Sequence, residues 1–421
     1  MVDADQTFVI VGGGLAGAKA AETLRSEGFT GRVILIGDER DHPYERPPLS
    51  KGYLQGKEDR DSVFVHEPAW YASNDIELHL GQTVTAIDRT AKTVQLGEGT
   101  AVRYDKLLLA TGAEPRRLDI PGTHLAGVHH LRRLSHAERL KHVLASLGRD
   151  NGHLVIAGAG WIGLEVAAAA RQYGAEVTVV EPEATPLHAV LGPELGQIFT
   201  ELHSDHGVRF HFGARLTEIS GQDGMVLAAL TDDGEEHPAH DVLAAIGAAP
   251  RTALAEAAGL EMAPREHGGG IAVDIALRTS DPDIHAAGDV AAVQHPLFDT
   301  RLRVEHWANA LNGGPAAARA MMGKDVVYDR VPYFFSDQYD LGLEYSGWAP
   351  PGSYDQVVLR GDAGKREFIA FWLKDGRVLA GMNVNVWDVT EQIQKLIRSG
   401  VRPGAERLGD PSVPLGTLLE E

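Results

Sequence analysis

The run Val9-Ile10-Val11-Gly12-Gly13-Gly14-Leu15-Ala16-Gly17 returns as Val155-Ile156-Ala157-Gly158-Ala159-Gly160-Trp161-Ile162-Gly163, with five of nine positions identical. A G-x-G-x-x-G run between an apolar strand and a helix leaves the backbone few options. Its first glycine permits a sharp turn, its second lets a pyrophosphate approach the main chain, and its third lets helix pack on strand. The anion then faces the helix N-terminus. Both copies have this context. The first follows a strand at 7–11 and opens a helix to about Ser26, broken at Gly28 and Gly31 before a strand at 33–36. The second follows a strand at 154–157 and opens a helix to Tyr173, then a strand at 177–180. Asp38 and Glu181 end the two units, at about the 20-residue spacing where a carboxylate meets ribose hydroxyls. The pattern predicts an α/β chain with two duplicated Rossmann-like dinucleotide-binding domains.

Glu181 selects between nicotinamide cofactors. A carboxylate there accepts from the adenosine ribose and repels an added 2′-phosphate. The next residues, Pro182, Glu183, Ala184 and Thr185, supply no cation, so NADH is expected. The apolar strand 106–109 ending in Ala110-Thr111-Gly112, and the matching strand 241–246 ending in Gly247, mark where the chain leaves and re-enters the first domain. The expected organisation is 1–116 with 242–325 as one discontinuous domain, 117–241 as the second, and 326–421 as a C-terminal α+β domain. In the last, 367–373 and 378–384 form a hairpin through Asp375-Gly376. Asp388-Val389-Thr390-Glu391 has the spelling of a capping box for a helix burying Ile393, Leu396 and Ile397 and ending at Gly400.

Composition removes whole classes of chemistry. With no cysteine there is no disulfide, no thiolate relay and no cysteine-ligated iron–sulfur cluster. The glutathione, lipoamide and thioredoxin reductases, and the cysteine-based NADH peroxidases, are therefore excluded. A net charge of −20 disfavours nucleic acid and anionic membrane as partners. No apolar run is long enough to span a bilayer, and Asp3 and Asp5 stand where a secretory signal carries positive charge, so a cytoplasmic location is expected. Abundant Ala, Gly and Arg suit a bacterial source. The pairs His203/His206 and His237/His240 lack a third ligand nearby and read as surface histidines, with no metal site expected.

Three further motifs carry a resemblance: Pro43-Tyr44-Glu45-Arg46-Pro47-Pro48-Leu49-Ser50-Lys51, Thr279 to Ala291 with its Gly288-Asp289, and Val331-Pro332-Tyr333-Phe334-Phe335-Ser336-Asp337-Gln338. Together with the fingerprints, they make the chain resemble the NADH-dependent ferredoxin reductases of oxygenase systems, the putidaredoxin reductase-like group. Apoptosis-inducing factor is a more distant relative of that group. The resemblance implies a glutathione reductase-type fold with FAD, NAD and C-terminal domains. It implies FAD contacts from Gly12, Gly14, Ala16, Gly17, Val84, Ala110 and Trp307. Asp38 would serve the adenosine ribose, Asp289 the ribityl chain, and Arg46 and Arg132 the pyrophosphate. Gly158, Gly160, Ile162, Gly163, Glu181 and Gly247 would serve NAD. Lys51 and Glu165 match a charged pair beside flavin N5, and are the residues expected to act in catalysis.

The implied reaction passes hydride from NADH to FAD and single electrons to an iron–sulfur ferredoxin, which feeds a haem-thiolate or Rieske oxygenase. Rubredoxin or monodehydroascorbate reduction, or NADH sensing of the apoptosis-inducing factor kind, are the alternatives. One position departs from the group: Phe335 stands where its reductases often carry a Trp near the electron exit, so the indole N–H is lost. A local basic patch of Arg301, Arg303 and Arg330 is the candidate docking surface for the transient ferredoxin partner.

Overall fold

The structure, a computed structural model, describes residues 5–419. Asp3, used above to read the N-terminus, lies outside them. The chain packs as two compact units: residues 1–45, 60–114 and 249–333 in the first, and residues 46–59, 115–248 and 334–421 in the second.

The first unit is built on five parallel strands in the spatial order Ile284–Ala286, Lys106–Leu109, Thr7–Val11, Arg32–Gly37, Ile76–Leu80. Val9, Ile10, Val33, Ile34, Leu35, Leu107 and Leu108 are fully buried, as expected of a parallel sheet covered on both faces. That explains why these strands read as continuous apolar runs rather than alternating ones. The helix Leu15–Ser26 packs closely on the helix Trp307–Met321 through small residues. A Cβ on Gly314 would stand 2.2 Å from the Ala16 carbonyl oxygen, so only glycine fits there. A three-stranded antiparallel sheet, Val84–Asp88, Thr93–Leu96 and Ala101–Arg103, is inserted before the strand Lys106–Leu109.

The second unit repeats the design. Its parallel strands run in the order Val208–Phe212, Glu176–Glu181, His153–Ala157, Asp241–Ala244, Val128–His129. In both sheets the fingerprint strand is central and the chain reverses direction of winding beside it. Ligands of open α/β sheets bind at that switch point, beyond the carboxyl ends of the strands.

The same unit contains a five-stranded sheet ordered Tyr333–Gln338, Leu341–Gly347, Arg377–Val384, Glu367–Lys374, Gln356–Asp362. Asp375 and Gly376 both take positive φ, +49° and +77°, which is the geometry of a tight two-residue hairpin turn. The helix Thr390–Ser399 buries Ile393, Leu396 and Ile397 and stops at Gly400 with φ +67°. The capping box does not form. The helix begins at Thr390, so Val389 rather than Asp388 holds the N-cap position, and no side chain caps it; Asp388 sits before the cap with φ +61°. Among the described residues no helix is long and apolar enough to cross a membrane.

Candidate functional site

In the first unit, the glycine turn joins the central strand to the helix Leu15–Ser26. Gly12 has φ +132°, and a Cβ on it would lie 2.0 Å from the Ala110 carbonyl oxygen. A Cβ on Gly17 would lie 2.1 Å from Gly12 O. Gly14 is different: a Cβ there would meet no protein atom within 4 Å. Turn, close packing and open approach thus fall on separate glycines. The helix has no acidic residue in its first turn and no side-chain cap, so its leading N–H groups keep their capacity for an anion. This cradle suits a dinucleotide pyrophosphate, and the FAD expectation fits the residues present.

Other expected FAD residues gather at the carboxyl ends of the same strands. Ala110 follows Lys106–Leu109, its N–H donating to Val11 O at 2.8 Å. Asp38 follows Arg32–Gly37 and pairs with Arg251 at 3.0 Å. Arg251 is held by the Ala110-Thr111-Gly112 tip, donating its N–H to Gly112 O and accepting from the Thr111 hydroxyl, both at 2.9 Å. The buried Asp289 follows Ile284–Ala286, and a Cβ on its neighbour Gly288 would touch the Ala16 methyl at 3.3 Å. Trp307 opens the second helix of this layer, its indole N–H donating to Glu45 Oε2 at 3.1 Å. Val84 pairs with Leu96 in the antiparallel insertion and packs on the core.

The second unit repeats the glycine geometry. Gly158 has φ +99°, with a Cβ 2.6 Å from Ala245 O; a Cβ on Gly163 would lie 2.1 Å from Gly158 O; one on Gly160 would meet nothing within 4 Å. Glu181 Oε2 accepts from Ala159 N at 2.6 Å and Oε1 from Glu183 N at 3.0 Å. The carboxylate therefore braces the turn and still has lone pairs for ribose hydroxyls. Ile162 and Ile246 are exposed apolar side chains flanking the fingerprint, and Gly247, with φ +93°, accepts from Arg116 N at 2.9 Å. The NAD residues fit a nicotinamide dinucleotide on the same grounds as the first cradle.

Lys51 and Glu165, the pair that the resemblance implies, lie together in the second unit. Lys51 Nζ lies 2.7 Å from Glu165 Oε1, with the two side chains 14% and 3% exposed. Glu165 sits on the helix Trp161–Tyr173, while Lys51 follows the turn Pro47–Ser50, anchored by Tyr173 OH donating to Leu54 O at 3.0 Å. A carboxylate this deep needs more than one partner. The Ser50 hydroxyl donates to Oε2, and the Ser336 hydroxyl donates to Oε1 at 2.7 Å. Behind Ser336, Gln338 Nε2 donates to its oxygen at 3.1 Å, and His203 Nε2 lies 2.8 Å from Gln338 Oε1. Every donor in this row points toward Glu165, so each bond polarises the next. The row also corrects the reading of His203 as a surface residue: it is fully buried, and desolvation pushes its pKa down to about 4 against the opposing bond to Gln338. Lys51 Nζ also stands 5.3 Å from the centre of the Phe335 ring, within cation–π range.

Arg46 and Arg132 meet through the main chain, an Arg46 guanidinium nitrogen donating to the Arg132 carbonyl. The expected basic patch does not stand free. Arg301 donates to Val273 O and Ala292 O, and Arg303, 9% exposed, donates to Gly268 O and Asp289 O and pairs with Glu305. These arginines tie loops together; only Arg330 is exposed. Among the described residues one group has metal-ligating chemistry, His211, Glu235 and His237. Its atoms lie at hydrogen-bond distances, His211 Nδ1 2.8 Å from His237 Nε2 and 2.9 Å from Glu235 Oε2.

Residues 6–314 match the family described as pyridine nucleotide-disulphide oxidoreductase, and residues 333–419 match the reductase C-terminal domain. The chain belongs to this family. It is an FAD- and NAD-dependent oxidoreductase, as the resemblance implied. Its relatives include a probable ferredoxin reductase, CtmF, of Castellaniella defragrans, 40% identical over 99% of this chain and all of that one. The ferredoxin–NAD(+) reductase component of the anthranilate 1,2-dioxygenase system of Burkholderia cepacia is 38% identical over 98% of this chain and 99% of that one. Among solved structures, the reductase in the covalent putidaredoxin reductase–putidaredoxin complex superposes with a TM-score of 0.93 at 36% identity, covering 99% of both chains. The glutathione reductase-type architecture with a C-terminal reductase domain is therefore this chain's fold. Members named for disulphides need a cysteine pair for that chemistry, and this chain has none.

Proposed function

We propose that the protein is an NADH:ferredoxin oxidoreductase of the cytoplasm, serving an oxygenase by way of an iron–sulfur ferredoxin. The balanced reaction takes NADH and two oxidised ferredoxins to NAD⁺, a proton and two reduced ferredoxins. The observation that carries this reading is the duplicated glycine cradle, each copy closed by a carboxylate, in a chain without a single thiol. Two electrons that arrive as hydride have no cysteine to rest on, so they leave for another molecule, one at a time when that molecule is a ferredoxin. That the relatives are reductase components of oxygenase systems supports the choice of acceptor.

The FAD-binding part is assigned to 1–116 and 242–325, the NAD-binding part to 117–241, and the C-terminal part to 326–421. FAD, when bound, accepts hydride from NADH and releases the electrons singly. The chain's own work is positional. Gly14 and Gly160 give pyrophosphates access to uncapped helix N-termini, Asp38 and Asp289 offer acceptors to the FAD sugar and ribityl hydroxyls, and Arg46 and Arg132 offer cations. Glu181 favours NADH over NADPH by charge. Glu165, held by Lys51, Ser50 and Ser336, fixes the Lys51 side chain, which we assign to the reacting end of the flavin as a hydrogen-bond donor. No side-chain nucleophile is required.

The test is anaerobic mixing of the yellow holoprotein with one equivalent of NADH, followed by oxidised [2Fe–2S] ferredoxin. Bleaching by NADH and reoxidation by ferredoxin support the reading. Bleaching with no transfer to any of a panel of iron–sulfur proteins, but rapid transfer to rubredoxin or monodehydroascorbate, would replace the acceptor.

A further inference from the structure

The two best-placed arginines of the expected basic patch are tied into loops, and Phe335 lacks an indole, which leaves the acceptor's landing point to be found. Resting on the function proposed above, we propose that Trp387 is the docking anchor for the iron–sulfur carrier.

Trp387 is 54% exposed, among the most exposed large apolar side chains of the protein. Scattered exposed aliphatics are ordinary, but an indole presented to water on a rigid, specially shaped backbone is not. Three features build this one. Asn385, with φ +50°, exchanges bonds with Gly342: its N–H donates to Gly342 O, and its Oδ1 accepts from Gly342 N, both at 2.9 Å. The buried Asn383 donates to Val386 O at 2.7 Å, fixing the next residue, and Asp388 leaves the turn with φ +61°. Finally, Gly342 seats the ring. A Cβ on Gly342 would lie 2.5 Å from Trp387 Cη2 and 3.0 Å from Cζ2, so any larger residue would push the indole away.

The position of that seat assigns the partner. The same Cβ point lies 3.3 Å from Asp337 Oδ1, which brings the indole beside Asp337. Along the strand Tyr333–Gln338 burial alternates. Phe334, Ser336 and Gln338 face inward, while Phe335 and Asp337 face outward on the side of Trp387. Phe335 in turn lies against Lys51 Nζ. Trp387 is therefore continuous, through Asp337 and Phe335, with the charged pair assigned to the flavin's reacting end. A one-electron carrier has to come close to that end, because transfer falls away with distance, whereas NADH needs no such outer surface. Docking by charge is poorly served here: a carboxylate, Asp337, stands beside the seat of the ring, in a chain of net charge −20. An aromatic anchor works without charge complementarity, and Trp is the residue type most enriched at such anchor points. In this reading the indole that position 335 lacks is supplied from position 387, on another strand connection.

The test compares Trp387→Ala, Trp387→Phe and Gly342→Ala with the parent holoenzyme, using NADH and a [2Fe–2S] ferredoxin that the parent reduces. Trp387→Ala is expected to raise the KM for ferredoxin at least tenfold, with Trp387→Phe nearer the parent and Gly342→Ala in between. NADH-driven reduction of ferricyanide, a small acceptor that needs no docking, is expected to stay within twofold in all three, which also shows that they fold and bind FAD. Titration of oxidised ferredoxin, followed calorimetrically without turnover, is expected to lose affinity in the same order. A ferredoxin KM and affinity within twofold of the parent in Trp387→Ala overturns the proposal. If the parent reduces ferricyanide but no ferredoxin, the functional reading itself fails and the docking proposal falls with it, a result distinct from the first.

Discussion

Replacing Lys51 by Met leaves Glu165 as a carboxylate 3% exposed, with only the Ser50 and Ser336 hydroxyls as donors. Breaking a buried ion pair from one side costs about 3–5 kcal/mol, because the remaining charge is uncompensated. The two serine bonds survive, so the lower end, about 3 kcal/mol, is expected. The reverse change is milder. Glu165→Gln leaves an ammonium on a side chain 14% exposed, able to reach water and still facing Phe335. Its loss is that of charge-assisted hydrogen bonds, roughly 1.5–3 kcal/mol. The double variant, Lys51→Met with Glu165→Gln, removes both charges and is expected to be more stable than Lys51→Met alone. Urea unfolding of the four holoproteins at pH 7 reads this directly. A cost below about 1 kcal/mol for Lys51→Met, the value of a solvated surface pair, or a double variant that is the least stable of the four, would refute a buried and mutually dependent pair.

Gly12→Ala and Gly14→Ala are expected to separate folding from binding. The first puts a methyl 2.0 Å from Ala110 O at φ +132° and gives little folded protein; the second meets no protein atom and gives folded protein that loses FAD on gel filtration. Glu181→Gln keeps an acceptor for Ala159 N–H but removes the charge, so the preference for NADH over NADPH is expected to fall at least tenfold in stopped-flow flavin reduction. His285 is fully buried, neither ring nitrogen has a hydrogen-bond partner, and desolvation pushes its pKa down to about 4. The unfolded histidine, near 6.5, binds the proton first, so its contribution is intact above pH 6.5 and is lost as pH falls from 6.5 toward 4. At pH 5 the loss is about 2 kcal/mol. His285→Leu is expected to flatten that part of the pH profile of urea unfolding and to leave stability at pH 7 unchanged or raised; an unaltered profile counts against it.

The glycine cradles were legible in the sequence because their geometry is local: turn, helix start and strand end lie within one β-α-β unit, and Asp38 and Glu181 follow at a fixed distance. The charged pair Lys51–Glu165 came from the resemblance, since nothing in either residue's neighbourhood points to the other. Ser336, Gln338 and His203 were out of reach for a related reason. They meet Glu165 only because the strand Tyr333–Gln338 and the helix Pro193–Asp205 pack in the same unit, and a histidine at i, i+3 from another looks like a surface pair until that packing is known. Arg251, which braces Asp38, gives no signal either. The Asp388–Glu391 box failed because the helix starts one residue late, at Thr390, which puts Val389 at the N-cap and leaves Asp388 in a turn with φ +61°. Arginines 301 and 303 looked free because the carbonyls they bind carry no sequence mark. Trp387 was unremarked for the opposite cause: its exposure depends on a glycine seat on a neighbouring strand.

A thiol-free chain that receives electrons in pairs and hands them singly to a ferredoxin obeys a fixed ratio. Its most direct measurement is the anaerobic stoichiometry of electron transfer, with NADH added as the limiting reagent to holoprotein and excess oxidised ferredoxin. Two ferredoxins reduced for each NADH consumed is the expected result. A protein that takes up no flavin, or one that oxidises NADH while the ferredoxin stays oxidised, would contradict it.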